Sequence, residues 1–211
     1  MSGLFITVEG LEGVGKSTNL EFVKNWLVNK GLNVETTREP GGTNLAEDIR
    51  ELLLTKREEN VSETCELLMM FAARAQHIAQ KINPWLEQGK CVLSDRFTDA
   101  TYAYQGGGRQ MDTSIINQLE DIVQNGLQPD FTLLLDAPAH IGLKRIQSRG
   151  FTDRIEQEKV EFFDRAREGY LARAKADPKR MFVIDASQPL EDVQTQIEAT
   201  LTAFFKTREK T

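Results

Sequence analysis

Leu4-Phe-Ile-Thr-Val8-Glu-Gly10-Leu-Glu12-Gly-Val-Gly15-Lys16-Ser17-Thr18 sets an apolar run directly against the pattern G-x-x-x-x-G-K-[ST]. The run predicts a buried strand, Gly10 to Thr18 the loop after it, and the following residues a helix. That is the order a Walker A phosphate-binding loop requires. Glycines at 10, 13 and 15 permit backbone conformations barred to other residues, so successive N–H groups can converge on phosphate oxygens. Gly10, Leu11, Glu12, Gly13, Val14, Gly15, Lys16, Ser17 and Thr18 are therefore expected to hold nucleotide phosphates. Lys16 can reach the outer phosphates, and the Ser17 hydroxyl can ligate the Mg2+ that accompanies them. The positive end of the next helix favours the same anion. The stretch predicts a nucleoside triphosphate site.

Outward from this loop, strands and helices alternate, as in a parallel sheet covered on both faces. Leu20, Val23 and Leu27 mark a helical face stopped by Gly31, and residues 32–37 read as the second strand. Asn44 is the expected cap of a helix turning Leu45, Ile49, Leu52 and Leu53 inward. Ser62 opens a long helix to about Leu86, with a kink near Pro84. Cys91 to Ser94 reads as a short buried strand, and the glycines after Gln105 as an irregular loop. Asp112 caps a helix whose Ile115, Ile116, Leu119, Ile122 and Val123 are expected inside, closed by Gly126. Residues 131–135 and 181–184 complete five strands, and the last helix runs from about Leu190 to Phe205. One domain over residues 1–211 is expected, with a charged lid at about 148–158.

The chain of 211 residues, with a net charge of −6, is long enough for a substantial core and carries no general basic footprint for nucleic acid. Cys65 and Cys91, each in an apolar context, read as buried reduced thiols, which points to a reducing compartment. The first strand starts within a few residues of Met1, leaving no room for a targeting peptide. No apolar stretch approaches the ~20 residues of a membrane span. A cytoplasmic protein binding no membrane is expected.

A Walker A loop alone does not name the reaction. The D-x-x-G and N-K-x-D patterns of guanine-nucleotide switches are both missing, since Asn29-Lys30 runs into Gly31-Leu32. Arginines stand instead near the ends of several elements: Arg38, Arg50, Arg74, Arg96, Arg145, Arg149 and Arg154. Together they suit an enzyme that must hold two anionic phosphates close enough to react. On residues alone, the acceptor can be any of several small molecules.

The chain resembles the thymidylate kinase family over essentially its full length. The resemblance rests on Phe5 to Thr18, Thr37-Arg-Glu-Pro-Gly-Gly-Thr43, Phe71-Ala-Ala-Arg74, Ser94-Asp-Arg96, Tyr104-Gln-Gly-Gly-Gly108 and Asp153-Arg-Ile-Glu156. It implies a P-loop NTPase three-layer α/β sandwich with a five-stranded parallel sheet in the order 2-3-1-4-5. It also implies transfer of the ATP γ-phosphoryl group to dTMP, Mg2+ dependence and a homodimer. Glu12 fits the bacterial-type pattern, in which an acidic residue in the phosphate loop accompanies arginines in the lid. By that likeness Arg149 and Arg154 close over the γ-phosphate, and Arg145 lies against adenine.

Transfer between two phosphates needs cations more than a general base, because the acceptor oxygen is already largely ionised. Lys16 is expected on the β and γ phosphates, and Arg96 and Arg50 on the acceptor phosphate, each capable of bidentate contacts. Arg38 either joins them or pairs with Glu39. Ser17 and Asp95 form the expected Mg2+ pair, with Asp136 a rival more suited to a structural role. Phe71 and Arg74, at spacing i, i+3, are expected to stack on and hydrogen-bond the thymine. The resemblance adds Glu39, Pro40, Thr101, Tyr104 and Gln105 to the acceptor site. Glu12 is expected to face the acceptor sugar and accept from its 3′-hydroxyl.

Overall fold

The computed structural model describes residues 3–147 and 153–208. Five parallel strands, β1 (Leu4–Glu9), β2 (Val34–Arg38), β3 (Cys91–Asp95), β4 (Phe131–Asp136) and β5 (Met181–Asp185), lie in the order β2-β3-β1-β4-β5. β1 is buried along its whole length, and β3 and β4 are buried up to their last residue, which explains their unbroken apolar runs. Register aligns Val8 with Asp95 and Arg38 with Asp95, so β1, β2 and β3 all finish at one edge of the sheet. Functional side chains can be gathered at that carboxyl edge.

Helices α1 (Lys16–Asn29), α2 (Asn44–Leu54), α3 (Glu63–His77), α4 (Asn83–Glu87), α5 (Thr98–Thr101), α6 (Thr113–Gln124), α7 (Ala139–Gln147), α8 (Val160–Ala176) and α9 (Leu190–Arg208) surround the sheet. Ser62 and Asp112 cap α3 and α6, accepting from the N–H groups of Cys65 and Ser114 at 3.3 and 2.9 Å. The cap of α2 is Thr43, not Asn44: its hydroxyl accepts from Ala46 N–H at 3.2 Å.

Two other expectations are corrected. The long helix from Ser62 does not simply kink at Pro84. It widens to a π-helical turn at Ile78–Ile82 and resumes as α4, with Asn83 N–H bonded to the Ile78 carbonyl. Pro84 has no N–H to give, and the wider turn just before it absorbs the change of register. The glycine-rich stretch after Gln105 is not an irregular loop but the end of a π-helical segment, Tyr102–Gly108. Its glycines make room for α8, since a Cβ on Gly107 would stand 2.6 Å from the Arg165 carbonyl oxygen. Several apolar residues expected inside are outside: Leu45 and Leu52 of α2 and Ile115 and Ile122 of α6 are exposed, as is Cys65, whereas Cys91 is buried.

Candidate active site

The turn from β1 into α1 carries the phosphate loop. Gly13 takes φ +73°, and a Cβ there would meet the Gly142 carbonyl oxygen at 2.3 Å, so only glycine fits. Lys16 opens α1 and folds its Nζ back onto the carbonyls of Gly10 and Leu11 at 3.1 and 2.7 Å. Burial, with Arg96 nearby, pushes its pKa down to about 8. Ser17 and Thr18 lie on the exposed first turn of α1. Arg145 reaches the loop from α7, donating to the Gly13 carbonyl at 3.1 Å.

Beside the loop lies a cavity of about 190 Å³, lined by Glu12, Lys16, Arg38, Glu39, Pro40, Arg50, Met70, Arg74, Asp95, Arg96, Thr101, Tyr104 and Gln105 among others. The carboxyl ends of β1, β2 and β3 and the facing sides of α2, α3 and the Tyr102–Gly108 segment build it. Arg96 sits just past β3 in a left-handed conformation, φ +72°, which is rare for a side chain of its size. Three hydrogen bonds hold that turn: Arg96 N–H to the Val8 carbonyl at 3.0 Å, Ser94 Oγ to the Arg96 carbonyl at 2.7 Å, and Phe97 N–H to Glu9 Oε1 at 2.7 Å. Glu9 is itself fully buried and takes a second hydrogen bond from Tyr170. Burial, with Asp99 beside it, pushes its pKa up to about 8.

Arg96 Nη2 donates to Glu12 Oε1 at 2.8 Å, while the other Glu12 oxygen accepts from the Tyr104 hydroxyl. Burial pushes the Glu12 carboxyl up, but Arg96 and Lys16 outweigh it and the net shift is downward. The loop carboxylate thus faces Arg96 and Tyr104 on the wall of the cavity. Arg50 donates to the Pro40 carbonyl at 2.8 Å, and burial, Arg38 and Arg96 together lower its pKa. Three guanidinium groups, Arg38, Arg50 and Arg96, thus lie close enough to repel one another there. Arg38 pairs with Glu47 at 2.8 Å and not with Glu39.

On the wall of the same cavity, Arg74 is buried with its Nε on Glu39 at 2.7 Å and its Nη2 on Thr101 Oγ1 at 3.1 Å. Its Nη1 is buried with no hydrogen-bond partner among the described residues. Asp95 Oδ1 is in the same condition. Asp136 accepts two bonds from Arg167, both at 2.7 Å, and serves to tie β4 to α8. No group of three or more potential metal ligands occurs among the described residues.

Two expected residues are not brought to the cavity, and one plays another part in it. Phe71 is buried in a cluster with Leu67, Tyr102 and Ile116, and its ring packs on the Arg74 guanidinium 4.9 Å away. Met70 lines the cavity instead. Arg154 is held away from it: its Nε donates to the Leu53 carbonyl at 2.8 Å and its Nη2 to Glu66 Oε2 at 2.6 Å. Glu66 is a buried carboxylate that must be neutralised, and it draws Arg109 as well as Arg154. Glu39 lines the cavity, yet both its oxygens are occupied by protein donors. Arg149 lies outside the described residues. Met70 was the residue missed, although it stands one turn before Arg74 at spacing i, i+4.

A glycine loop between the first strand and first helix, beside a cavity lined by Lys16 and four arginines at the carboxyl edge of a 2-3-1-4-5 parallel sheet, defines a kinase of the P-loop NTPase fold. The sequence profile of the thymidylate kinase family matches residues 8–197. Thymidylate kinase of Hahella chejuensis is 57% identical over 201 residues, covering 95% of this chain and 97% of that protein. That of Teredinibacter turnerae is 57% identical over 205 residues, 97% of this chain and all of that one. A crystal structure of thymidylate kinase from Ehrlichia chaffeensis superposes with a TM-score of 0.76 at 35% identity, covering 96% and 99% of the two chains. The chain belongs to the thymidylate kinase family.

Proposed function

We propose that the cavity binds dTMP and that the chain transfers the γ-phosphoryl group of ATP to it, giving dTDP and ADP. One observation carries the assignment of the acceptor. A single cavity holds, first, the neighbouring guanidinium groups of Arg50 and Arg96 and, second, that of Arg74, whose Nη1 has no hydrogen-bond partner among the described residues. A monophosphate meets the first and a ring carbonyl oxygen the second. In this reading Met70, not Phe71, provides the soft apolar surface against the base. Thr101, Tyr104 and Gln105 close the other side, and Glu12 meets the acceptor sugar.

Catalysis is positioning and charge compensation. The acceptor phosphate oxygen attacks the γ-phosphorus, the bond to the β-bridging oxygen breaks, and ADP leaves with that electron pair. Lys16 stabilises charge on the donor phosphates, while Arg96 and Arg50 offset the repulsion between donor and acceptor. The left-handed Arg96 backbone, pinned from three sides, aims that guanidinium before substrate arrives. Arg149 and Arg154 belong to the lid in this proposal, and Arg154 must leave Glu66 to reach the donor. Ser17 and Asp95 suit Mg2+, since Asp95 Oδ1 is a buried acceptor with no donor among the described residues. When bound, the ion neutralises phosphate charge.

The proposal extends to a cytoplasmic homodimer. No described helix is long and apolar enough to cross a membrane. Release of ADP, followed with dTMP, dUMP, thymidine or no acceptor, tests the function. We expect turnover with dTMP that EDTA abolishes, and none with thymidine or without acceptor. Equal turnover without acceptor refutes the assignment.

A further inference from the structure

His77 is a buried polar residue that the reading above leaves without a role. It ends α3, is fully buried, and has both ring nitrogens engaged. Nδ1 lies 2.9 Å from Glu39 Oε1 and Nε2 lies 2.6 Å from Thr37 Oγ1. The fold makes room for the ring: a Cβ on Gly42, which has φ +90°, would come within 2.5 Å of it. Burial pushes the Glu39 carboxyl up, but Arg74 and His77 outweigh it, and the net shift is downward. An ionised carboxylate only accepts, so the His77 Nδ1 carries the proton and donates to it.

The chain of contacts continues into the cavity. Glu39 Oε2 takes the Arg74 Nε–H at 2.7 Å, and the Phe71 and Phe97 rings flank the guanidinium at 4.9 and 5.3 Å. With Thr101 on Nη2, every part of Arg74 is fixed except the two N–H groups of Nη1. A guanidinium so held is a rigid donor. It accepts a ring carbonyl oxygen and opposes a ring amino group, because it has no acceptor to offer. Thymine and uracil carry an oxygen where cytosine carries an amine.

We propose that His77 is a positioning residue for discrimination of the acceptor base: by holding Glu39 it sets Arg74 so that Nη1 meets a pyrimidine carbonyl and rejects an amine. The proposal rests on the dTMP reading above. Without the His77 donor, Glu39 is free to rotate about its remaining contact, and Arg74 loses its registry.

Steady-state kcat and KM for dTMP and dCMP, measured on wild type, His77→Asn and His77→Gln, test this. The asparagine amide places an N–H where Nδ1 stands and keeps the bond to Glu39. The glutamine amide extends towards Thr37 and leaves Glu39 short of a donor. We expect His77→Asn to keep a KM for dTMP within about threefold of wild type, whereas His77→Gln raises it about tenfold or more with kcat little changed. The preference for dTMP over dCMP in kcat/KM should fall by a similar factor in His77→Gln alone. Equal behaviour of the two variants, or a fall in kcat for both acceptors with their ratio intact, overturns the proposal. If His77→Gln does not fold, Glu39→Gln takes its place, since it puts an amide against one of the two donors. An unaltered dTMP-to-dCMP ratio in that variant is equally fatal. A wild-type enzyme inactive on dTMP refutes the assigned function instead, before any variant is made.

Discussion

Phe71 and Met70 are adjacent in sequence and differ completely in what they touch. Phe71 sits 2% exposed in a cluster with Leu67, Tyr102 and Ile116, while Met70 is half-buried at the cavity wall. Truncating Phe71 to alanine should therefore cost stability, on the order of 3–5 kcal/mol. Met70 also packs against the main core, so Met70→Ala should cost less stability than Phe71→Ala and raise KM for dTMP about tenfold, or roughly 1.4 kcal/mol of binding. Unaltered KM in Met70→Ala removes it from the base site. Both residues are apolar and both share a helical face with Arg74, so sequence could not separate them. A step of one residue turns a helical side chain by about 100°, and only the packed neighbours decide which turn faces the cavity. Lys16, Arg50, Arg74, Asp95 and Arg96 were expected from the sequence to share one site, and all five line the same cavity. Arg154 does not, and nothing in the sequence reveals that Glu66, far away in the chain, is buried and needs a cation.

At the scale of elements, the helices were readable and their outward faces were misread. Periodicity assigned Leu45 and Leu52 of α2 and Ile115 and Ile122 of α6 to the interior, yet all four are exposed, Ile122 at 76%. Amphipathic spacing reports that a stripe is apolar, and not what covers it. α3 packs against both α2 and α6 and leaves its own Leu68 exposed, so three neighbouring helices each present apolar side chains to the outside. Exposed apolar side chains on three packed helices are what the homodimer of the functional proposal would cover. Charged replacements at Leu52 and Ile122 together should turn a dimer into a monomer in sedimentation equilibrium, with the far-ultraviolet spectrum unchanged. A wild-type protein that sediments as a monomer at tens of micromolar leaves the apolar stripe unexplained by self-association. The π-helical Tyr102–Gly108 segment was misread for a different reason. Glycines there serve the close approach of α8, a partner 50 residues and more along the chain, and local rules read them as loop.

Across the whole molecule, the Arg96 turn, the end of β1 that leads into the glycine loop, and α8 are joined through one buried carboxylate. Glu9 ends β1, accepts from Phe97 N–H at the Arg96 turn and from the Tyr170 hydroxyl of α8, and has its pKa pushed up to about 8 by burial and by Asp99. Lys16, Arg96 and Tyr104 also interact with it electrostatically. In the unfolded chain the same group titrates near the ordinary carboxyl value of 4.5. Between those two values the native protein holds a proton that the unfolded chain has released. Folding then takes up a proton, and stability present in acid is lost as pH rises through the window, at up to about 1.4 kcal/mol per pH unit. Glu9→Gln keeps an acceptor for Phe97 N–H and removes the titration. Chemical denaturation of both proteins from about pH 5 to about pH 7.5 should show wild-type stability falling relative to the variant as pH rises. The comparison cancels the histidines, and Lys16, displaced down to about 8, titrates largely above this range. Parallel pH profiles for the two proteins would mean that Glu9 is ionised in the native state, with Arg96 and Lys16 neutralised from beneath by a charge that the incoming phosphate must then compete against.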